Sequence, residues 1–236
     1  MSPVSTDAGT GPGATADATQ VLRRRLDRGL GQMPPGIGDH LDAAARDRLI
    51  AFLGLLARWN RAYNLTAVRD PADMVPRHLL DSLAVLPWIT RGPVLDAGTG
   101  AGLPGIPLAI ARPELGFTLL DSNGKKTRFV RQAVLELGLD NVQVVQSRLE
   151  TYRPGQKFAT IVARAVTSLA ALRANCAHLA FSDARLLALK GRLPEQEIAD
   201  LVAASATTVQ VHPLRVPLLE GERNLIEIPF NATAHG

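Results

Sequence analysis

Four glycines, Gly98, Gly100, Gly102 and Gly105, fall within eight residues of one another in the stretch VLDAGTGAGLPGIPLAI (94–110), and Pro104 and Pro107 stiffen its second half. Backbone bare of side chains between an apolar run and a helical stretch lets a ligand approach peptide groups closely. Gly100, Gly102 and Gly105 formally satisfy the G-x-G-x-x-G dinucleotide pattern, which alone is a weak signal. Asp96, two residues ahead of the first glycine, shifts the balance. A pyrophosphate is held by backbone N–H groups and the positive end of a helix dipole, so a carboxylate there repels it and suits a cation.

S-adenosylmethionine carries an ammonium and a sulfonium and no phosphate, and D-x-G-x-G after a first strand is the arrangement associated with it. The next β-like run ends in Asp121 and Ser122, where a carboxylate can accept hydrogen bonds from both ribose hydroxyls. A third run leads into Arg148, Leu149 and Glu150, placed to flank and hydrogen-bond an adenine. The cofactor expectation therefore rests on Asp96, Gly98, Gly100, Gly102, Asp121, Ser122, Leu149 and Glu150 taken together. Alone, Asp96 is better explained as a loop brace, and Glu150 as a helix N-terminal charge.

Basic residues cluster beside these positions. In KKTRFVRQAVLELGL (125–139), Val130, Ala133, Val134 and Leu137 line one side of a helix, while Lys125, Arg128 and Arg131 recur at i, i+3 and i+6 on the other. A solvated face accounts for such spacing; closeness of Lys125 and Lys126 to Asp121 favours phosphate binding instead. Lys190 and Arg192, after another β-like run, are expected on the same rim. Arg77 and His78 are further RNA-contact candidates, and Asn60 and Asn64, one turn apart, could bond backbone or base edges. His78, Asp81 and Ser82 share a helix face but lack the G-x-S-x-G elbow that would expose a nucleophile. No side chain is assigned as an essential general base.

The elements that must position these residues emerge from periodicity. VLRRRLDRGL (21–30) and residues 41–65 read as helices separated by the Pro- and Gly-rich loop GQMPPGIG, and Leu49, Phe52, Leu53, Leu56 and Trp59 form an apolar stripe. A third helix is expected over 71–87. From Gly92 onward short β-rich runs alternate with helical ones, which implies an α/β fold with a mostly parallel sheet covered on both faces. TTVQVHPLRVP and RNLIEIPF break the rhythm as a terminal antiparallel hairpin. The expected divisions are a disordered tail over 1–20, a helical extension over 21–88 and a cofactor-binding domain over 89–236.

Whole-chain properties narrow the class. The 236 residues hold 26 Lys and Arg against 22 Asp and Glu, a net charge of +4 that permits a polyanionic partner. Cys176 is the only cysteine, which excludes a disulfide framework and a cysteine zinc site. No apolar stretch suffices to span a bilayer and the N-terminus has no signal-peptide core, so a cytoplasmic protein without membrane or metal is expected.

The sequence resembles the RsmG (GidB, glucose-inhibited division protein B) methyltransferases over roughly residues 41–230. The resemblance is carried by WNRAYNLT (59–66), RHLLDSL (77–83), LDAGTGAGLPGIPLAI (95–110), LLDSNGKKTRFV (119–130), RAV (164–166) and LKG (189–191). It implies a class I, Rossmann-like methyltransferase fold of seven strands with an N-terminal helical extension, and 7-methylguanosine formation in 16S rRNA of the small ribosomal subunit. It further implies cofactor contacts from Gly98, Leu103, Leu149, Glu150 and Arg164. The chain departs from the family pattern at Ala163, where serine is expected, and at Asn123-Gly124, which replace a more apolar pair. A monomer acting on small subunits is expected; the rival readings are an NAD-dependent oxidoreductase and a non-catalytic RNA-binding module.

Overall fold

The computed structural model describes residues 12–164, 168–205 and 207–231, with side chains from residue 17 onward. Helix α1 (Pro12–Leu30) starts within the expected tail: residues 12–20 are helical, and 1–11 lie outside the described residues. Pro12 suits a first helical position, and the alanines after it are strong helix formers. Helix α2 (Ala43–Tyr63) opens where the Asp42 carboxylate accepts from the Ala45 N–H at 2.7 Å and closes at Asn64 in the left-handed conformation.

The expected third helix is a composite of α3 (Pro71–Met74), a π-helical segment (Val75–Leu80) and α4 (Asp81–Leu83). Pro76 lacks the N–H that an α-helix would use, and the wider turn accommodates that loss. Strands and helices then alternate: β1 (Val94–Ala97), α5 (Gly105–Ala111), β2 (Phe117–Asp121), α6 (Gly124–Leu137), β3 (Val142–Gln146) and β4 (Phe158–Arg164). They continue with α7 (Leu169–Cys176), β5 (Ala180–Lys190), α8 (Glu195–Ser205), β6 (Gln210–Pro213) and β7 (Asn224–Pro229). The sheet has seven strands in the order β3-β2-β1-β4-β5-β7-β6. Strands β1 to β5 pair in parallel, and β7 runs antiparallel to both β5 and β6, which gives the terminal hairpin.

Period-two alternation divides the strand side chains between two cores. Val94, Phe117, Leu119, Val162 and Leu187 pack with α5, α6 and the N-terminal helices, whereas Leu95, Leu120, Ile161, Leu186 and Ile228 pack with α7 and α8. The helical extension thus has no core of its own. Leu26 and Leu30 of α1 and the α2 stripe Leu49, Phe52, Leu53 and Leu56 share one buried cluster with the sheet. Phe52 and Trp59 of α2 meet Phe129 of α6 at ring-centroid distances of 6.3 and 5.7 Å.

Candidate cofactor cavity and basic rim

Strand order reverses between β1 and β4, and in open α/β sheets the crevice beyond the strand carboxyl ends at such a point is where ligands bind. A cavity of about 550 Å³ lies there, entered past the glycine loop. Gly98, Gly100 and Gly102 have φ of 76, 60 and 81°, values that L side chains rarely adopt. The Gly98 and Thr99 N–H groups donate to the Leu120 carbonyl at 2.8 and 2.9 Å, locking the loop over the end of β2. Gly98, Gly100 and Leu103 line the cavity; Gly102 does not. Gly102 instead admits the Ile106 side chain, which stands 2.5 Å from where a Cβ would sit.

Asp96 is fully buried and is absent from the cavity wall. Its Oδ2 accepts from Thr99 Oγ1 at 2.6 Å and from the Gly105 N–H at 2.8 Å, tying both ends of the loop to β1. Gly105 has no room for a side chain: a Cβ would stand 2.5 Å from that same Oδ2 and would collide with Leu119. The loop-brace reading of Asp96 is therefore realised. Its second oxygen, Oδ1, is buried without a hydrogen-bond partner among the described residues. Burial pushes the carboxyl up to about 6, against which the Thr99 and Gly105 hydrogen bonds work.

Asp121 lines the cavity and is itself a brace: Oδ2 accepts from the Gly100 N–H at 2.9 Å and Oδ1 from the Asn123 N–H at 2.8 Å. Each oxygen retains capacity to accept a further hydrogen bond. Ser122, Leu149 and Glu150 complete that wall, and Glu150 Oε1 is held by Asn175 Nδ2 at 3.1 Å. Arg164 also lines the cavity. Its Nη1 donates to Asp81 Oδ2 at 3.2 Å, while Arg223 Nε donates to the other Asp81 oxygen at 2.9 Å. Asp81 thus orients two guanidinium groups and takes no part in a hydrolytic triad. The last two residues of the RAV motif, Ala165 and Val166, lie outside the described residues.

The helical extension also contributes to the cavity, through Leu65 and Thr66. Asn60 is buried at the end of α2, accepting from the Thr66 N–H at 2.9 Å and donating to the Val68 carbonyl at 3.1 Å. Asn64 Oδ1 accepts from Arg69 Nη2 at 2.7 Å. Both asparagines are thus engaged with the 64–69 turn and hold its shape. His78 Nε2 lies 2.9 Å from Thr66 Oγ1, and the ring is only 5% exposed, with Nδ1 unpartnered. Burial lowers its pKa to about 4 and keeps it neutral. Its expected place at an RNA surface is therefore corrected: His78 props the cavity turn from beneath, while Arg77, one residue away, is exposed.

The expected basic rim divides. Lys126 lines the cavity, and Lys125, Arg128 and Arg131 line an adjoining groove with Asn123, Gln132 and Gln146. The Asn123 side chain caps α6 by accepting from the Lys125 and Lys126 N–H groups at 2.9 and 3.3 Å. No carboxylate sits in the first turn of α6, where acidic residues are favoured and two lysines are not. Lys190 departs from expectation: its Nζ is paired with Glu197 at 3.0 Å, its side chain is 16% exposed, and Glu197 also caps the Leu169 N–H. It secures α7 and α8 to β5, while Arg192 stays exposed.

Leu65, Thr66, Asn175 and the Asp81–Arg223 pair were not assigned from sequence. Leu65, Thr66 and Asp81 lie in the WNRAYNLT and RHLLDSL motifs, whose polar residues are spaced for local turns, so that only the fold reveals which point at the cavity; Asn175 and Arg223 lie outside both motifs and carried no sequence signal.

The profile of the family described as rRNA small subunit methyltransferase G matches residues 45–226. A relative from Marinobacter nauticus named "Ribosomal RNA small subunit methyltransferase G" is 52% identical over 202 residues, covering 86% of this chain and 92% of the relative. One of the same name from Salmonella arizonae is 47% identical over 210 residues, covering 89% and 99%. Among solved structures, a "SAM dependent methyltransferase from Aquifex aeolicus" superposes with a TM-score of 0.54 at 19% identity, covering 71% of this chain and 97% of that one. The glycopeptide N-methyltransferase MtfA complexed with S-adenosylmethionine gives 0.56 at 13%, covering 64% and 86%.

Proposed function

The chain belongs to the rRNA small subunit methyltransferase G family, and from that premise we propose how its cavity and rim serve the transfer of a methyl group from S-adenosylmethionine to small-subunit ribosomal RNA. The acceptor we assign is N7 of a guanine in 16S rRNA, presented by the small ribosomal subunit to a cytoplasmic monomer.

The observation that carries the reading is where the acids stand: the cavity wall also holds Lys126, Arg148 and Arg164, but Asp121 lies at the end of β2, Glu150 follows β3, and Asp96 sits buried beneath the glycine loop, where a carboxylate suits a cationic, phosphate-free group. The unpartnered Asp96 Oδ1 fits the same reading, because a fixed negative charge below Gly98 complements an ammonium and would repel a pyrophosphate. Gly98 and Gly100 supply bare backbone, Asp121 the ribose acceptor, Leu103 and Leu149 apolar walls for the adenine, and Glu150 its hydrogen-bond partner. Asp96 disfavours the oxidoreductase alternative, whereas Asp121 would serve the ribose of either cofactor.

When bound, the cofactor supplies a methyl group on a positively charged sulfur that departs as a neutral thioether. Guanine N7 holds an in-plane lone pair outside the aromatic π-system, so the chain need not remove a proton before transfer. What the protein contributes is alignment and an electrostatically tolerant site. Arg164, fixed by Asp81, adds a cofactor contact from the end of β4, and Lys126 with Lys125 and Arg128 offers cations to the phosphates of the incoming strand. His78 lacks both the exposure and the basicity to act as a base.

Calorimetry tests the cofactor assignment. S-adenosylmethionine and S-adenosylhomocysteine should bind and NAD should not. Gly98→Val should abolish binding, because the backbone at φ 76° disfavours a β-branched residue where close approach is needed. Unchanged affinity in a folded Gly98→Val protein would refute the role given to the loop.

A further inference from the structure

The chain has only ten aromatic residues of the Phe, Trp and Tyr types, and one of them, Tyr63, is spent on the surface with 42% exposure. It is the last residue of α2, and its ring rests on Trp59 one turn earlier, with centroids 5.3 Å apart. Trp59 is braced in turn by Phe129, in the second turn of α6. The ring is therefore held from behind by two further aromatic side chains in series. Immediately after Tyr63 the chain turns at Asn64 and delivers Leu65 and Thr66 to the cavity wall, while the first turn of α6 delivers Lys126 to the same wall. The carboxyl end of α2 and the amino end of α6 thus meet at the cavity mouth. Lys125, Arg128 and Arg131 continue outward along α6, and among the described residues none of the three forms an ion pair.

We propose that Tyr63, backed by Trp59, is a stacking platform for an unpaired RNA base next to the target guanine, with the α6 cations holding the phosphates of that strand. This rests on the methyltransferase reading of the cavity and adds to it the form of the substrate, a splayed, single-stranded segment. Unpaired bases are recognised by aromatic faces that any base can cover, and phosphates by cations alongside. The charge of the α6 ridge argues for a nucleic-acid occupant, and its continuity with the cavity for the substrate strand itself. A rigid ring loses little freedom on stacking, which is what the Trp59 and Phe129 contacts provide.

The test uses the full chain and its Tyr63→Ala and Tyr63→Phe variants. With small ribosomal subunits as substrate, Tyr63→Ala should raise KM by roughly 5- to 100-fold, as base–aromatic stacking energies imply, with kcat at saturation and the thermal midpoint little changed. Tyr63→Phe should stay near the parent. The slope of log affinity against log salt should not move, because stacking releases no counterions. In a Trp88→Phe background, single-stranded oligoadenylate should quench Trp59 fluorescence, and the same strand paired with oligouridylate should quench it far less. Lack of quenching by oligoadenylate, or a Tyr63→Ala variant that changes stability but not KM, would overturn the platform. Failure of the parent chain to transfer methyl groups would refute the methyltransferase reading separately, since oligoadenylate quenching needs no turnover.

Discussion

Burial raises the Asp96 carboxyl from its ordinary 3.8 to about 6, and this gives the site a measurable pH signature. Between those values the folded state keeps a proton that the unfolded state has lost. Stability therefore falls as pH rises through that window and is level above it, a change on the order of 3 kcal/mol. Asp96→Asn should remove this slope in denaturation measured between pH 4 and about 6.5, because its amide oxygen can still accept from Thr99 and Gly105. The same substitution should weaken cofactor binding at neutral pH through loss of the charge. His78, lowered to about 4, stays neutral throughout the working range. The single-turnover rate at saturating RNA and cofactor should accordingly be flat from about pH 6.5 to 8.5, where an ordinary histidine would titrate. A limb in that range that His78→Asn abolishes without loss of RNA binding would show that the transfer needs a base. Asp96, Gly98 and Asp121 were legible as a set because their spacing is local to two strand ends. Burial of His78 and the pairing of Lys190 with Glu197 were not, since both depend on contacts made only when distant segments pack.

At the scale of elements, α6 offers the clearest conflict between folding and function. Lysines at positions 125 and 126 oppose the dipole of their own helix, and that cost is compensated only if an anion arrives. Lys125→Glu should stabilise the protein by about 0.3–1 kcal/mol at low salt while weakening RNA binding. The Lys125→Ala, Arg128→Ala pair should reduce the slope of log affinity against log salt by roughly 0.7–0.9 per lost phosphate contact. A parent-like slope in that double variant would mean that this helix face is merely solvated. The periodicity of α2 and α6 and the β-rich runs made these elements readable, whereas the ends of α6 are set by the Asn123 cap and by Gly138 in the left-handed conformation with φ of 60°. The composite helix over 71–83 was readable only as a helix: its π-helical centre arises from Pro76 acting together with packing of Leu79 and Leu80 into the core.

For the whole molecule, seven strands with a reversed hairpin and a cavity at the strand-order switch bring the glycine loop, Asp121, Glu150 and Lys126 together at one end of the sheet. The alternation of runs made that architecture legible, whereas the shared core of the extension and the sheet was not, because no local pattern says which surface a helix will cover. That sharing has a functional consequence: Leu65 and Thr66 reach the cavity only because α2 is packed on α6 through Phe129. Among the described residues no helix is long and apolar enough to cross a membrane, and no group of three or more His, Cys, Asp or Glu side chains could hold a metal ion. The central claim is tested most directly by incubating the protein with small ribosomal subunits lacking the modification and S-adenosylmethionine labelled in its methyl group, then digesting the rRNA to nucleosides and resolving them by mass spectrometry. The account predicts label in 7-methylguanosine from 16S rRNA, lost with Gly98→Val; label in another nucleoside, or none in rRNA despite cofactor binding, would contradict it.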